Sequence, residues 1–157
     1  MNNNFCVMSV IQPGDKLPLF TLLNQKGDWI SPSNLIGTKA MVVYFYPKDD
    51  TPGCTAEACA FRDHYEEFVD NDIIVFGISA DSVQKHSDFA SKYKLSFDLL
   101  SDPDNKVRKL FGVPKSMLGL LPGRVTYVFN KAGECVHVFN SQLYAKQHVV
   151  EALAALS

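Results

Sequence analysis

The chain has 157 residues, 46% of them hydrophobic and 20% charged, with a formal net charge of −2. That length suits one domain able to bury its own core, and the balanced charge, with no long run of one sign, offers nothing to nucleic acid or an anionic membrane. No apolar stretch approaches the ~18 residues that would cross a bilayer, and the cysteines Cys6, Cys54, Cys59 and Cys135 are too few and scattered for a disulfide scaffold.

The N-terminal stretch MNNNFCVMSVIQPGD has no basic n-region, and its apolar patch is broken at Gln12 and Pro13. It matches neither a secretory signal nor an Arg-rich transit peptide. Residues 1–12 are expected to form a tail ahead of a domain over 13–157. The cytoplasm is the expected compartment, where disulfides are transient rather than structural. Residues 19–30 (LFTLLNQKGDWI) predict a small hairpin turning at Lys26-Gly27. The continuous apolar run Ala40–Tyr46 predicts a strand buried on both faces. Apolar spacing at Ala58, Phe61, Tyr65 and Phe68 predicts a helix over Thr55–Asp70, and Ile73–Ser79 predicts a second buried strand.

Ser82–Lys94 follows as a helix with Val83, Phe89, Ala90 and Tyr93 inward, then a short strand at Phe97–Leu100. Pro103–Phe111 reads as a short helix opened by Asp102 and Pro103. Arg124–Asn130 and Glu134–Asn140 alternate around the turn Lys131-Ala132-Gly133 and form a hairpin. Gln147–Leu156 closes the chain as a helix. Parallel strands joined by helices, plus an antiparallel pair, give an α/β fold: a mixed central sheet flanked by helices, in the thioredoxin-like arrangement with an N-terminal hairpin added. An open flavodoxin-like sheet is the competing topology, and it lacks a Gly-rich phosphate loop here.

The chemistry concentrates in Met41–Arg62, MVVYFYPKDDTPGCTAEACAFR. The strand stops at Pro47, which cannot continue the ladder. A second proline and Gly53 then deliver Cys54 to the mouth of a helix. The helix-end N–H groups favour the thiolate, which is the nucleophilic form of cysteine. Pro52 presets the first turn, and Gly53 lets backbone N–H groups approach whatever Cys54 attacks. Thr51, three residues earlier, can turn its hydroxyl toward the sulfur. A small buried apolar thiol is the bland alternative, and it suits these polar, loop-forming neighbours less well.

PKDDTPGCTAEACAFRD resembles the active-site segment of the peroxiredoxins, in the bacterioferritin-comigratory-protein or PrxQ branch. The family's P-x-x-x-T-x-x-C motif falls on Pro47, Thr51 and Cys54. GVPKSMLGLLPGRVTYVFNKAGE is similar to the family's later segment, in which an arginine opens a strand beside the active cysteine; here that is Arg124. The likeness runs from about Gly14 to the C-terminus, and LPGRVTYVFNKAGE is particularly similar to the form of cyanobacteria and chloroplasts. The resemblance implies thiol-dependent reduction of hydrogen peroxide and organic hydroperoxides: Cys54 attacks the terminal peroxide oxygen and becomes a sulfenic acid. Thr51, the Gly53 and Cys54 N–H groups and Arg124 are the donors for the developing charge. Arg124, protonated at any working pH, would also hold the thiolate.

The branch's near resolving position falls on Cys59, which would condense with the sulfenic acid to a disulfide; its far position, near Ala90, carries no cysteine. The resemblance further implies thioredoxin as electron donor, with glutaredoxin or glutathione as alternatives, a monomer, and no cofactor or metal. Cys54, Cys59 and His64 do not make a customary metal set. Glu57 reads as a first-turn acid or a partner for Arg62, and Cys135 as a packing residue. Lys115–Leu121 is apolar and is expected near the site as packing or an access collar. A thioredoxin-type disulfide oxidoreductase would want C-x-x-C rather than the spacing found here. A redox-switched chaperone or interaction protein is the third class of function, and suppression of client aggregation that survives Cys54→Ser would mark it.

Overall fold

The apolar run at 40–46 becomes an interior strand of a seven-stranded mixed sheet. The structure, a computed structural model, describes residues 10–116, 119 and 121–156; Cys6 lies outside them. In chain order the elements are β1 (Leu22–Asn24), β2 (Trp29–Ile30), a 3-10 turn at Pro32–Leu35, β3 (Ala40–Phe45), α1 (Pro52–Asp63), α2 (Tyr65–Asp70), β4 (Ile73–Ser79) and α3 (Val83–Tyr93). β5 (Asp98–Ser101), α4 (Lys106–Phe111), β6 (Lys115–Ser116), β7 (Leu121–Pro122), β8 (Val125–Phe129), β9 (Cys135–Asn140) and α5 (Gln147–Leu156) complete the chain. The sheet order is β2-β1-β5-β4-β3-β8-β9, with β6 and β7 as a separate ribbon. β3, β4 and β5 run parallel; β8 and β9 are antiparallel at one side, and the β1–β2 hairpin is antiparallel at the other. This is the thioredoxin-like α/β fold.

Alternation along β3 divides the core, because successive side chains leave opposite faces of a strand. Ala40, Val42 and Tyr44 enter one cluster with Cys54, Ala58, Phe61, Phe89 and Val149. Met41, Val43 and Phe45 enter the other with Ile78, Phe111, Tyr127 and Phe129. Tyr44 stacks on Phe61 with ring centroids 4.6 Å apart, which ties β3 to α1. Among the described residues no helix is long and apolar enough to cross a membrane.

Several boundaries differ from the sequence reading. The helix expected over Thr55–Asp70 begins earlier, at Pro52, and breaks at His64 (φ −100, ψ 11) into α1 and α2. The apolar spacing runs through that kink, so periodicity could not show it. The helix expected from Pro103 begins at Lys106 instead. Asp102 nonetheless caps it, accepting from the Val107 and Arg108 N–H groups at 3.0–3.2 Å. Strand β5 is displaced by one residue, and the short β6–β7 ribbon was not anticipated.

Candidate active site

Sheet register builds the site. Phe45 at the end of β3 faces Val125 at the start of β8, so the chain leaving β3 at Tyr46 and Pro47 lies beside Arg124. Gly123 is required there. A Cβ at that position would lie 2.0 Å from the Pro114 carbonyl oxygen, a main-chain clash that only glycine avoids. The loop then turns through Asp50 (φ 57) to Thr51, which N-caps α1 in extended conformation. Pro52 takes the first helical position, and Cys54 lands in the first turn, 2% exposed.

The Arg124 guanidinium forks between two acids. Nη2 donates to Cys54 Sγ at 3.3 Å, and Nη1 donates to Glu57 Oε1 at 2.8 Å. All three side chains are buried. Gly53 permits the close approach: a Cβ there would sit 3.0 Å from Arg124 Nη2. The expected pair of Cys54 and Arg124 is therefore brought together. The Thr51 hydroxyl, expected to turn toward the sulfur, instead donates to Lys48 O at 2.9 Å. Pro47, half-buried, ends the ladder at the site's edge.

Glu57 does not pair with Arg62, which instead bonds Asp63 and the Tyr93 carbonyl. Fully buried, Glu57 is pushed up to about 8, with desolvation outweighing the lowering by Arg124. Behind it lies His148 of α5, also fully buried. His148 Nε2 lies 2.8 Å from the Ser141 carbonyl, so it must carry the proton, and Nδ1 accepts from the Thr126 hydroxyl at 2.7 Å. Burial lowers His148 to about 4. The 3.5 Å approach of its Nδ1 to Glu57 Oε2 is consequently not an ion pair at neutral pH.

These two groups set opposite pH slopes. Glu57's folded value lies above its ordinary 4.5, so its contribution to stability is full below 4.5 and is lost as pH rises through about 8. His148's folded value lies below its ordinary 6.5, so its contribution is present above 6.5 and is lost as pH falls toward 4. The slopes oppose between 4.5 and 6.5.

A second buried network, unseen in the sequence reading, pins the loop. Asp49 accepts from the Tyr46 hydroxyl at 2.5 Å and bonds His86 Nδ1 at 2.6 Å, and its N–H donates to Asp81 at 2.8 Å. Asp81 also takes the Ser79 hydroxyl at 2.7 Å. The ligand atoms of Asp49, Asp81 and His86 lie within 4.8 Å of one another, yet they are spent on protein donors and on each other, which makes the cluster a pin for the loop. His86 thus occupies the inner face of α3 in place of Val83 and Tyr93, which are half-buried. Arg108 clamps the same corner by donating to the Tyr46 and Gly123 carbonyls at 2.9 and 2.8 Å.

Cys59, also on α1, is half-buried and lines a cavity of ≈ 420 Å³ with His64, Lys146, Val149 and Val150. Cys54, Cys59 and Cys135 are free thiols. Cys135 is buried in β9. Residues 117, 118 and 120 of the apolar segment lie outside the described residues; Leu121 is exposed on β7.

A buried cysteine at a helix mouth, bonded by a buried arginine on a thioredoxin-like fold, defines a thiol oxidoreductase. The chain belongs to the AhpC/TSA family, which residues 13–138 match, and within it to the peroxiredoxin Q, or bacterioferritin-comigratory-protein, branch of thiol peroxidases. It is 50% identical to the chloroplastic peroxiredoxin Q of Sedum lineare, over 96% of this chain and 80% of that one. The structure of peroxidoxin BcpB from Mycobacterium tuberculosis superposes with a TM-score of 0.85 at 36% identity, covering 93% of this chain and 96% of that one. The bacterioferritin comigratory protein of Xanthomonas campestris, whose structures address its alkyl peroxide reduction activity, gives 0.80 at 31% identity over 90% and 97%. The plant relatives are chloroplastic proteins, which overturns the cytoplasmic expectation. That expectation rested on a default, since the composition of a folded domain carries no record of its compartment.

Proposed function

We propose that the chain reduces hydrogen peroxide and organic hydroperoxides through Cys54, with Cys59 as resolving thiol and thioredoxin, or glutaredoxin, as reductant. The observation that carries this reading is the 3.3 Å bond from Arg124 Nη2 to Cys54 Sγ inside the first turn of α1. Guanidinium and helix-end amides stabilise the thiolate and remain in place for the charge that develops along the breaking O–O bond. The sulfur takes the terminal hydroxyl of the peroxide, and the departing alkoxide gains a proton to leave as alcohol. The sulfenic acid then condenses with the Cys59 thiol, releasing water and forming a disulfide. A dithiol protein reduces that disulfide by exchange. Alkyl peroxide reduction by the Xanthomonas relative supports organic hydroperoxides as substrates, and chloroplastic relatives favour a plastid setting. Both thiols lie on one chain, so a monomer over residues 13–157 suffices.

Thioredoxin-coupled turnover of hydrogen peroxide and an alkyl hydroperoxide tests the reading. Wild type is expected to turn over both, Cys54→Ser neither, and Cys59→Ser to stop after one equivalent. Turnover by Cys54→Ser removes the proposal.

Closing the disulfide has a structural cost. Both cysteines lie on α1, where a five-residue separation on a regular helix is ~8.6 Å between Cα atoms. A disulfide tolerates no more than ~7 Å. The first turns of α1 must therefore unwind. Far-UV circular dichroism is expected to lose on the order of two helical turns on oxidation, and superimposable spectra of the reduced and disulfide forms would contradict this.

A further inference from the structure

Arg124 is a single buried positive charge facing two acids, Cys54 at 3.3 Å and Glu57 at 2.8 Å. Other groups at the site do not alter this count. His148 on α5 is kept neutral by its burial, and its bonds to Ser141 and Thr126 fix its tautomer. Tyr44 on β3 is a buried phenol whose ionisation is pushed far up by desolvation, then by Glu57. Arg108 spends its guanidinium on two carbonyls and is opposed by Asp102. With both acids ionised the pocket would carry an unpaired negative charge, and with both neutral an unpaired positive one. Either is costly when buried. One proton shared between Cys54 and Glu57 keeps the site balanced.

The other oxygen of Glu57 shows where that proton sits. Among the described residues Oε2 is buried with no hydrogen-bond partner, 3.5 Å from His148 Nδ1, whose lone pair already accepts from Thr126. A charged carboxylate oxygen in that position would be buried with no donor to hold it, which favours the neutral acid.

We propose that Glu57 is the reserve counter-ion of Arg124: it carries a proton while Cys54 is a thiolate and gives one up when Cys54 becomes a sulfenic acid. The inference rests on the peroxidase reading. Peroxide attack removes the negative charge from the sulfur, and Arg124 would be left buried without an anion. Ionisation of Glu57, already bonded to Nη1, restores the pair without moving either side chain. The balance is Cys54–S⁻ + ROOH + Glu57–COOH → Cys54–SOH + ROH + Glu57–COO⁻. The O–O bond breaks, the sulfur is oxidised by two electrons, and the proton gained by the alkoxide is matched by the one Glu57 releases. Glu57 acts through Arg124 and is a positioning residue. Its burial, which pushes it to about 8, agrees with a neutral acid at the start of the cycle.

Proton exchange with solvent reads this directly. One equivalent of hydrogen peroxide is added at pH 7 to Cys59→Ser protein, which should halt at the sulfenic acid, with a pH indicator present and intact mass confirming oxidation at Cys54. About zero protons should be taken up per Cys54 oxidised, and about one when Glu57→Gln is added to the same background. One proton taken up with Glu57 in place, or none with glutamine, overturns the inference. If Cys54 is not oxidised at all, the peroxidase reading fails instead. Should Glu57→Gln fail to fold, redox difference infrared spectra of the Cys59→Ser protein decide. The carbonyl stretch of a protonated carboxylic acid should disappear on peroxide addition, and its persistence overturns the proposal.

Discussion

Arg124→Gln is expected to lower the second-order rate of hydroperoxide reduction by about 10²–10³-fold, the range seen when one preorganised donor to a developing charge is removed. Glutamine can still donate a hydrogen bond, but it supplies no charge to Cys54 Sγ and cannot hold Glu57 at the same time. Stability should suffer less than rate. Glu57, already raised by burial, can simply keep its proton once the guanidinium is gone, which limits the penalty for an orphaned acid. Arg124→Lys keeps the charge but loses the planar fork that reaches Sγ and Oε1 together, so an intermediate rate is expected. Stopped-flow peroxide consumption alongside urea unfolding checks the split. A variant that loses stability but keeps its rate would mean that Arg124 serves packing alone.

His86→Ala should cost about 3–5 kcal/mol of unfolding free energy, the penalty for removing one partner of a buried charged pair. His86 and Asp49 side chains are 0% and 4% exposed. His86 Nε2 faces the Leu100 carbonyl at 3.1 Å, and Nδ1 faces the Asp49 carboxyl at 2.6 Å. A carbonyl only accepts, so Nε2 carries a proton, and a further proton must lie between Nδ1 and Oδ2. This is a charge-assisted bond across 37 residues of sequence. Alanine leaves Asp49 with Tyr46 as its side-chain donor and frees the loop that carries Thr51. A lower peroxide rate should accompany the lost stability. A change below about 1 kcal/mol in a chemical denaturation series would show that the network is not the pin inferred here.

The contrast between these two residues explains what could be read in advance. Strands β3 and β4 and helix α5 follow from local signals: continuous apolar runs and a 3.6-residue spacing within one stretch of chain. Cys54 could be placed because proline, glycine and a cap residue surround it within the same few positions. Arg124, 70 residues later, was found through its resemblance to a family segment, since a strand-initial arginine has no local signature. Glu57 was read as a first-turn acid, but α1 begins at Pro52 and carries no acid in its first turn; its partner lies 67 residues away, and sequence neighbours suggested Arg62 instead. His86 and Asp49 each looked like an ordinary polar residue. Only the parallel crossover through β4 and α3 brings them together, and no periodicity announces a buried polar pair. The kink at His64 was hidden because Phe61, Tyr65 and Phe68 keep their spacing through it.

The proposed chemistry requires an ionised sulfur at position 54 in the reduced protein. Thiolate absorbance in the ultraviolet at pH 7, compared between wild type and Cys54→Ser, measures it without any peroxide present. Most of one thiolate per chain should vanish with the substitution, and part of it with Arg124→Gln. Equal absorbance in wild type and Cys54→Ser would mean a protonated thiol beside Arg124 and would contradict the proposed chemistry.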